Sequence, residues 1–206
     1  DHITDYADRN GYKACRIASS AINMDSFSLY NRSGFVPRVT HQDMVINVPA
    51  TGMGSAPITG QEKVRQATLN DIGGMGEMEM EVSNIRREID YRYAIDNPRQ
   101  VMHASVYVND QQTIDGFMIS VKHPALNMLG PCVARSEEAA LALIGNELER
   151  FRGTWALLVI PMQKRKMVEQ LYQWGAVNVE THLLSVRGEF KEFSGVNLPS
   201  FLPETG

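Results

Sequence analysis

Two stretches of this chain echo each other, and an internal echo constrains a fold more than any local propensity. The first is a strand-like run, a break and a short helical run ending LYNRSGF (29–35). The second is a strand-like run, a break and a helical run ending LYQWGA (171–176). Both place Leu-Tyr late in the helix with a Gly three or four residues after the Tyr, the second turn being one residue shorter. The strand of the second copy, TWALLVIP (154–161), is almost wholly apolar, which marks a strand buried on both faces. A chain of 206 residues, 43% of them hydrophobic, can fill such a core as one or two ordinary domains.

Residues 1–10 read as a helix end stopped by Gly11, 12–21 as a strand, 23–35 as a short helix and 35–48 as short β-type runs. PATGMGSAPITGQE (49–62) holds four Gly/Pro clusters and no apolar periodicity, so it reads as a linker between domains. Beyond it, 63–72 reads as a strand and turn. Met78, Val82, Ile85 and Ile89 recur at helical spacing and predict one amphipathic helix over about 76–95. VMHASVYV (101–108), GFMISVKH (116–123) and MLGPCVA (128–134) read as strands. In 136–151, Ser136 is a natural N-cap, Glu137 and Glu138 suit the positive helix start, and Ala140, Leu143, Ile144 and Leu148 form a buried stripe. A helix over 164–175, a strand or pair over 177–188 and an irregular, Pro-rich tail complete the chain.

Charge excludes several classes of function. Twenty basic residues against 24 acidic ones, with no basic run beyond KRK (164–166), argue against nucleic acid as a partner. No apolar stretch approaches the roughly 20 residues that span a bilayer, so no membrane partner is expected. The start DHITDYADRN is not a signal peptide. Cys15 and Cys132 form no CxxC motif, and the compartment that fits is the reducing cytoplasm. His2, His41, His103, His123 and His182 show no HxH or HxxxH spacing, so structural histidines and no metal are expected.

NMDSFSLYNRSGF (23–35) resembles the late motif of the GCN5-related N-acetyltransferase (GNAT) superfamily: an Asn after the fifth strand, a short helix carrying Leu-Tyr, then Gly-Phe opening the next strand. Residues 64–188 have the order of a second such domain, and LGPCVARSEEAALALI with the closing FLPETG resembles the second half of tandem acetyltransferases. The resemblance implies an α/β fold with a mixed, mostly antiparallel sheet flanked by helices, in tandem copies with the first incomplete. The expected organisation is 1–48 as the C-terminal half of a first GNAT domain, 49–62 as linker, 63–190 as a second, degenerate GNAT domain and 191–206 as tail. About half of the first domain has no counterpart before Asp1, so the chain is expected to be a fragment of a longer one or to lack a part.

Acetyl transfer needs a polarised thioester carbonyl, a neutral amine and a proton for the departing thiolate. The family meets the first need with backbone amides at a splayed strand, and often the last with a Tyr. By motif that residue is Tyr30, and a phenol, with pKa near about 10, can donate at neutral pH. A helix Tyr packed on the core is the plainer account. Asn23 corresponds to the family Asn that hydrogen-bonds the pantetheine arm of acetyl-CoA, or it is simply an N-cap. Ser26 points to the same arm. The second copy departs from the family's cofactor loop: RSEEAALAL (135–143) has no Gly, and Glu137 and Glu138 stand where a diphosphate would sit. Tyr172 takes the Leu-Tyr position there, but Arg165 replaces the Asn. That domain is expected to hold little or no cofactor.

The leading expectation is thus an acyl-CoA-dependent N-acetyltransferase moving acetyl from acetyl-CoA to a small-molecule amine, with catalysis in the first domain; a homodimer fits as well. The alternative is a non-catalytic acyltransferase-like module that binds a metabolite or serves structure. LPETG (202–206) matches a sortase signal but lacks the apolar segment and basic tail of a real one, so a family-typical tail or an added tag fits better.

Overall fold

The computed structural model describes residues 2–54 and 58–200, so the middle of the expected linker and the LPETG tail lie outside the described residues. Nine strands, β1 (Ala14–Ser20), β2 (Val36–Asn47), β3 (Val64–Gln66), β4 (Met102–Val108), β5 (Ile114–His123), β6 (Leu126–Ala134), β7 (Trp155–Pro161), β8 (Val177–Gly188) and β9 (Val196–Leu198), form one sheet. Its order is β1-β8-β2-β7-β6-β5-β4-β3, with β9 on β6. The helices are α1 (His2–Arg9), α2 (Met24–Arg32), α3 (Ile72–Ser83), α4 (Glu88–Asp96), α5 (Glu137–Leu148) and α6 (Arg165–Gln173). α5 and α6 bury Leu143, Ile144, Leu148, Met167 and Leu171 with Met44, Ile46 and Leu158 of the sheet. α3 and α4 cover the other face through Met75, Met78, Val82 and Tyr91, whose ring meets Phe117 edge-on at 5.0 Å.

The helix expected over 76–95 is two helices. Asn84 takes a left-handed conformation (φ 58) and ends α3, and Arg87 reaches back to Glu79, turning the chain into α4. Met78 and Val82 are buried while Ile89 is 85% exposed, so the apolar spacing ran across a break. The short runs expected over 35–48 are one continuous strand with two register shifts, and 177–188 is likewise a single strand. The expected domain boundary falls between strands that share this sheet, because β2 lies between β7 and β8.

The turn into α3 is fixed by charge. Asp71 closes a capping box with Thr68 and takes two hydrogen bonds from the Arg65 guanidinium, at 2.7 and 2.8 Å. Those bonds, Arg65 foremost, hold the Asp71 carboxyl down to about 2. A carboxylate with a depressed folded pKa stabilises the fold above its ordinary value and loses that contribution as pH falls toward the folded one. Asp71→Asn should therefore cost about 1–2 kcal/mol near neutral pH, Arg65 being half exposed and screened. The gap to wild type should close between about pH 4 and 2. Urea midpoints across that range check it, and a gap independent of pH would contradict it.

The echo in the sequence is a repeated unit, β1-α2-β2 and β7-α6-β8. Both helices have nine residues and both second strands twelve. β2 and β8 run antiparallel with His41 opposite His182, and this pair centres an approximate twofold: Ser20 lies opposite His182 as Pro161 lies opposite His41. The backbone bonds that close the helices match at a constant spacing: Phe35 N to Tyr30 O as Ala176 N to Leu171 O, and Gly34 N to Asn31 O as Gly175 N to Tyr172 O. The two Leu-Tyr pairs are therefore out of step by one residue. Leu171, not Tyr172, occupies the place of Tyr30. One residue turns a helix by about 100°, which separates a buried position from an exposed one.

Candidate functional site

Asn23, Ser26 and Tyr30 come together on one face of α2, at helical positions i, i+3 and i+7. Asn23 is the N-cap, its side-chain oxygen accepting from the Ser26 backbone N–H at 3.0 Å. The Tyr30 ring is half-buried and meets Phe35 edge-on at 6.1 Å. None of the residues of α2 is buried, and Met24 and Leu29 are exposed. In α6 the counterparts of Ser26 and Tyr30 are Met167 and Leu171, both fully buried on the α5 side of the sheet. The same helix face thus carries a hydroxyl and a phenol in one copy and two core side chains in the other. Tyr172 points elsewhere; its hydroxyl accepts from Asn178 Nδ2 at 2.7 Å.

The start of α5 is already satisfied. Ser136 Oγ accepts from Ala139 N at 3.1 Å, and Glu137 accepts from Met167 N at 3.0 Å, which caps the start of α6. A groove of about 520 Å³ runs between these helices, with Glu137, Glu138, Lys166 and Trp174 in its wall. Two carboxylates against one ammonium make a poor seat for a diphosphate.

β6 and β7 are parallel neighbours only at Met128–Leu157 and Leu129–Leu158, and then they diverge. The opening is filled from within. The tail expected to be irregular contributes β9, which pairs Val196 with Ala134, Asn197 with Val133 and Leu198 with Cys132. Val196 and Leu198 are buried in the same core as α5. A Cβ on Gly195 would overlap the Ala134 carbonyl, and one on Gly130 would stand 2.7 Å from the Pro199 carbonyl, so glycines let the tail lie this close. The only hint in the sequence is the alternation Gly195, Val196, Asn197, Leu198, too short to read as a strand.

Three polar clusters escaped sequence reasoning. Glu79 is fully buried with Arg87 (2.5 Å) and the Tyr91 hydroxyl, and burial pushes its carboxyl up. Glu147 is fully buried, accepting from Ser120 Oγ at 2.6 Å beside His103 Nδ1 at 2.8 Å. The third gathers His41, Asp43, Glu180 and His182 on facing strands. A cavity of about 480 Å³ beside α3 is lined by Lys13, Arg16, Arg87 and Lys191, with one carboxylate, Glu189, and with Asn84 and Phe190.

Residues 92–192 match the model of a family described as "Acetyltransferase (GNAT) domain". A search of curated proteins finds no match. Among solved structures, the chain resembles a Pyrococcus horikoshii protein provisionally described as an acetyltransferase: TM-score 0.70, 13% identity, 100% of this chain and 64% of that one. It also resembles a GCN5-related N-acetyltransferase from Sphaerobacter thermophilus, with TM-score 0.55, 15% identity, and 88% and 62% of the two chains covered. A GCN5-related N-acetyltransferase from Kribbella flavida has TM-score 0.55, 12% identity, and 91% and 46% covered. The chain spans less than two thirds of the length of each. The fold is that of the GNAT acetyltransferases. Among the described residues, no helix is long and apolar enough to cross a membrane.

Proposed function

We propose that this chain, with a GNAT domain across 92–192 and the GNAT fold throughout, takes part in acetyl transfer from acetyl-CoA to a small-molecule amine. In this reading residues 1–48 are the C-terminal half of a first unit and carry the chemistry. Residues 49–62 connect it to a second unit, 63–190, and 191–206 form a tail. The observation that carries the assignment of the two roles is β9. It fills the opening between β6 and β7 where the family holds the acyl arm, so the second unit has no room for that arm. The contrast between Ser26 and Tyr30 on one side and Met167 and Leu171 on the other supports the same division.

At the first site Asn23 and Ser26 bind and orient the acyl carrier's arm, and Tyr30 supplies a proton. The amine nitrogen attacks the thioester carbonyl carbon, the carbon–sulfur bond breaks, and the Tyr30 phenol protonates the leaving sulfur. The proton shed by the amine restores the phenol through water.

A second reading, a binding module without turnover, is favoured by the filled opening and by the cationic cavity at Lys13, Arg16, Arg87 and Lys191. Thiol release from acetyl-CoA, measured on the full-length protein with a panel of amines, separates the two. The transferase reading expects release that depends on the amine. Absence of such release across the panel, with the protein folded, would leave the binding module.

A further inference from the structure

The centre of the approximate twofold carries chemistry that acetyl transfer does not use. β2 contributes His41-x-Asp43 and β8 contributes Glu180-x-His182. In the antiparallel register His41 faces His182 and Asp43 faces Glu180, so all four side chains stand on one face of the sheet. That face is opposite the one on which Met44 and Ile46 meet the α5 core. One ligand atom each from Asp43, Glu180 and His182 can be chosen so that all lie within 4.8 Å of one another. His182 Nδ1 stands 2.9 Å from Asp43 Oδ1, and the Ser20 hydroxyl on β1 donates to Glu180. No Lys or Arg among the described residues forms an ion pair with either carboxylate.

A second observation is independent of the acidic pair. His41 is fully buried, and neither ring nitrogen makes a hydrogen bond. The Asn197 backbone lies beside the ring. A buried imidazole whose nitrogens make no hydrogen bond is costly unless something binds it. Two carboxylates directly across a strand pair repel each other unless a positive charge sits between them. The Asp43–His182 separation is also close to that between neighbouring ligands of one ion, whose bonds are about 2.0–2.2 Å.

We propose that Asp43, Glu180 and His182 form a binding site for one divalent first-row transition-metal ion of the zinc kind, with the unpartnered His41 ring beside it on the same face. One imidazole and two carboxylates suit that class; calcium asks for six to eight oxygens and magnesium keeps most of its water. The ion takes the place of the contact between His182 and Asp43 and ties β2 to β8 where the two copies of the repeat interleave. Ser20 extends the tie to β1 by holding Glu180.

The test uses the full-length protein stripped with a chelator and titrated with Co²⁺, followed by visible absorption, and with Zn²⁺, followed by calorimetry and melting. One ion per chain, a Co²⁺ spectrum of nitrogen and oxygen ligands and a higher Tm are expected. Glu180→Gln, which keeps a partner for Ser20, and His182→Gln should each weaken binding at least about tenfold. His123→Gln, an exposed control, should leave it unchanged. A wild-type protein that takes up no stoichiometric Co²⁺ or Zn²⁺ would overturn the proposal, as would binding unaltered in both ligand variants. Should a variant fail to fold, paramagnetically shifted imidazole protons in the wild-type Co²⁺ form decide. Shifts from histidine rings support the site, and their absence overturns it.

Discussion

Tyr30→Phe is expected to lower the kcat of acetyl transfer by about 10²–10⁴-fold in the full-length protein, with little change in the KM for acetyl-CoA. The phenol is proposed to act only as the thiolate leaves, and a Phe keeps the ring against Phe35. A group that acts only in the transition state lowers kcat and kcat/KM together. Tyr172→Phe should leave kcat unchanged. Its hydroxyl meets Asn178, and the place of Tyr30 in that copy belongs to the buried Leu171. Steady-state kinetics on both variants checks the pair. Equal and small effects would reduce Tyr30 to a packing residue.

The largest loss of stability is expected from Arg87→Ala, about 3–5 kcal/mol. Glu79 is fully buried, and Arg87 is the cation that pairs it at 2.5 Å. Removing the partner strands a carboxylate in the core between α3 and α4, where protonation becomes the remaining escape. Burial already raises the Glu79 pKa. A carboxyl whose folded pKa lies above its unfolded one favours the fold at low pH and loses that benefit as pH rises through the folded value. The variant's deficit should therefore shrink on acidification, and adding Glu79→Gln should recover part of it. Urea unfolding of the two variants measures both effects; a deficit under about 1 kcal/mol would show that the pair is not a keystone.

What was legible in the sequence was whatever a local pattern could carry. Ser136 with two glutamates and a spaced apolar stripe gave α5 nearly to its ends, and the apolar run at 154–161 gave the buried β7. The repeated helix was legible because Gly34 and Gly175 both take the left-handed turn that stops it. Its register was not. Identical letters, Leu-Tyr, suggested an alignment one residue away from that set by the backbone bonds, and burial of Leu171 decided the matter. α3 and α4 were fused because Ile85 and Ile89 continue a period that Asn84 interrupts, and no local rule weighed Arg87's reach to Glu79.

Features made by distant pairings were invisible. β9 is three residues whose strand character comes from the edge of β6 it covers. His41 and His182 meet only because β2 and β8 interleave, a register that no spacing within either strand announces. Asn23, Ser26 and Tyr30 share one face of α2, as their spacing predicts. What faces them depends on elements packed against α2, and these cannot be read from α2 itself.

The central claim is that acetyl-CoA belongs with α2 and not with α5. A crystal structure of the full-length protein with CoA tests it most directly. The ligand is expected against Asn23, Ser26 and Tyr30, with the start of α5 empty and β9 still paired to β6. A diphosphate held by the backbone amides of Ser136 to Ala139, with β9 displaced from the opening between β6 and β7, would contradict it.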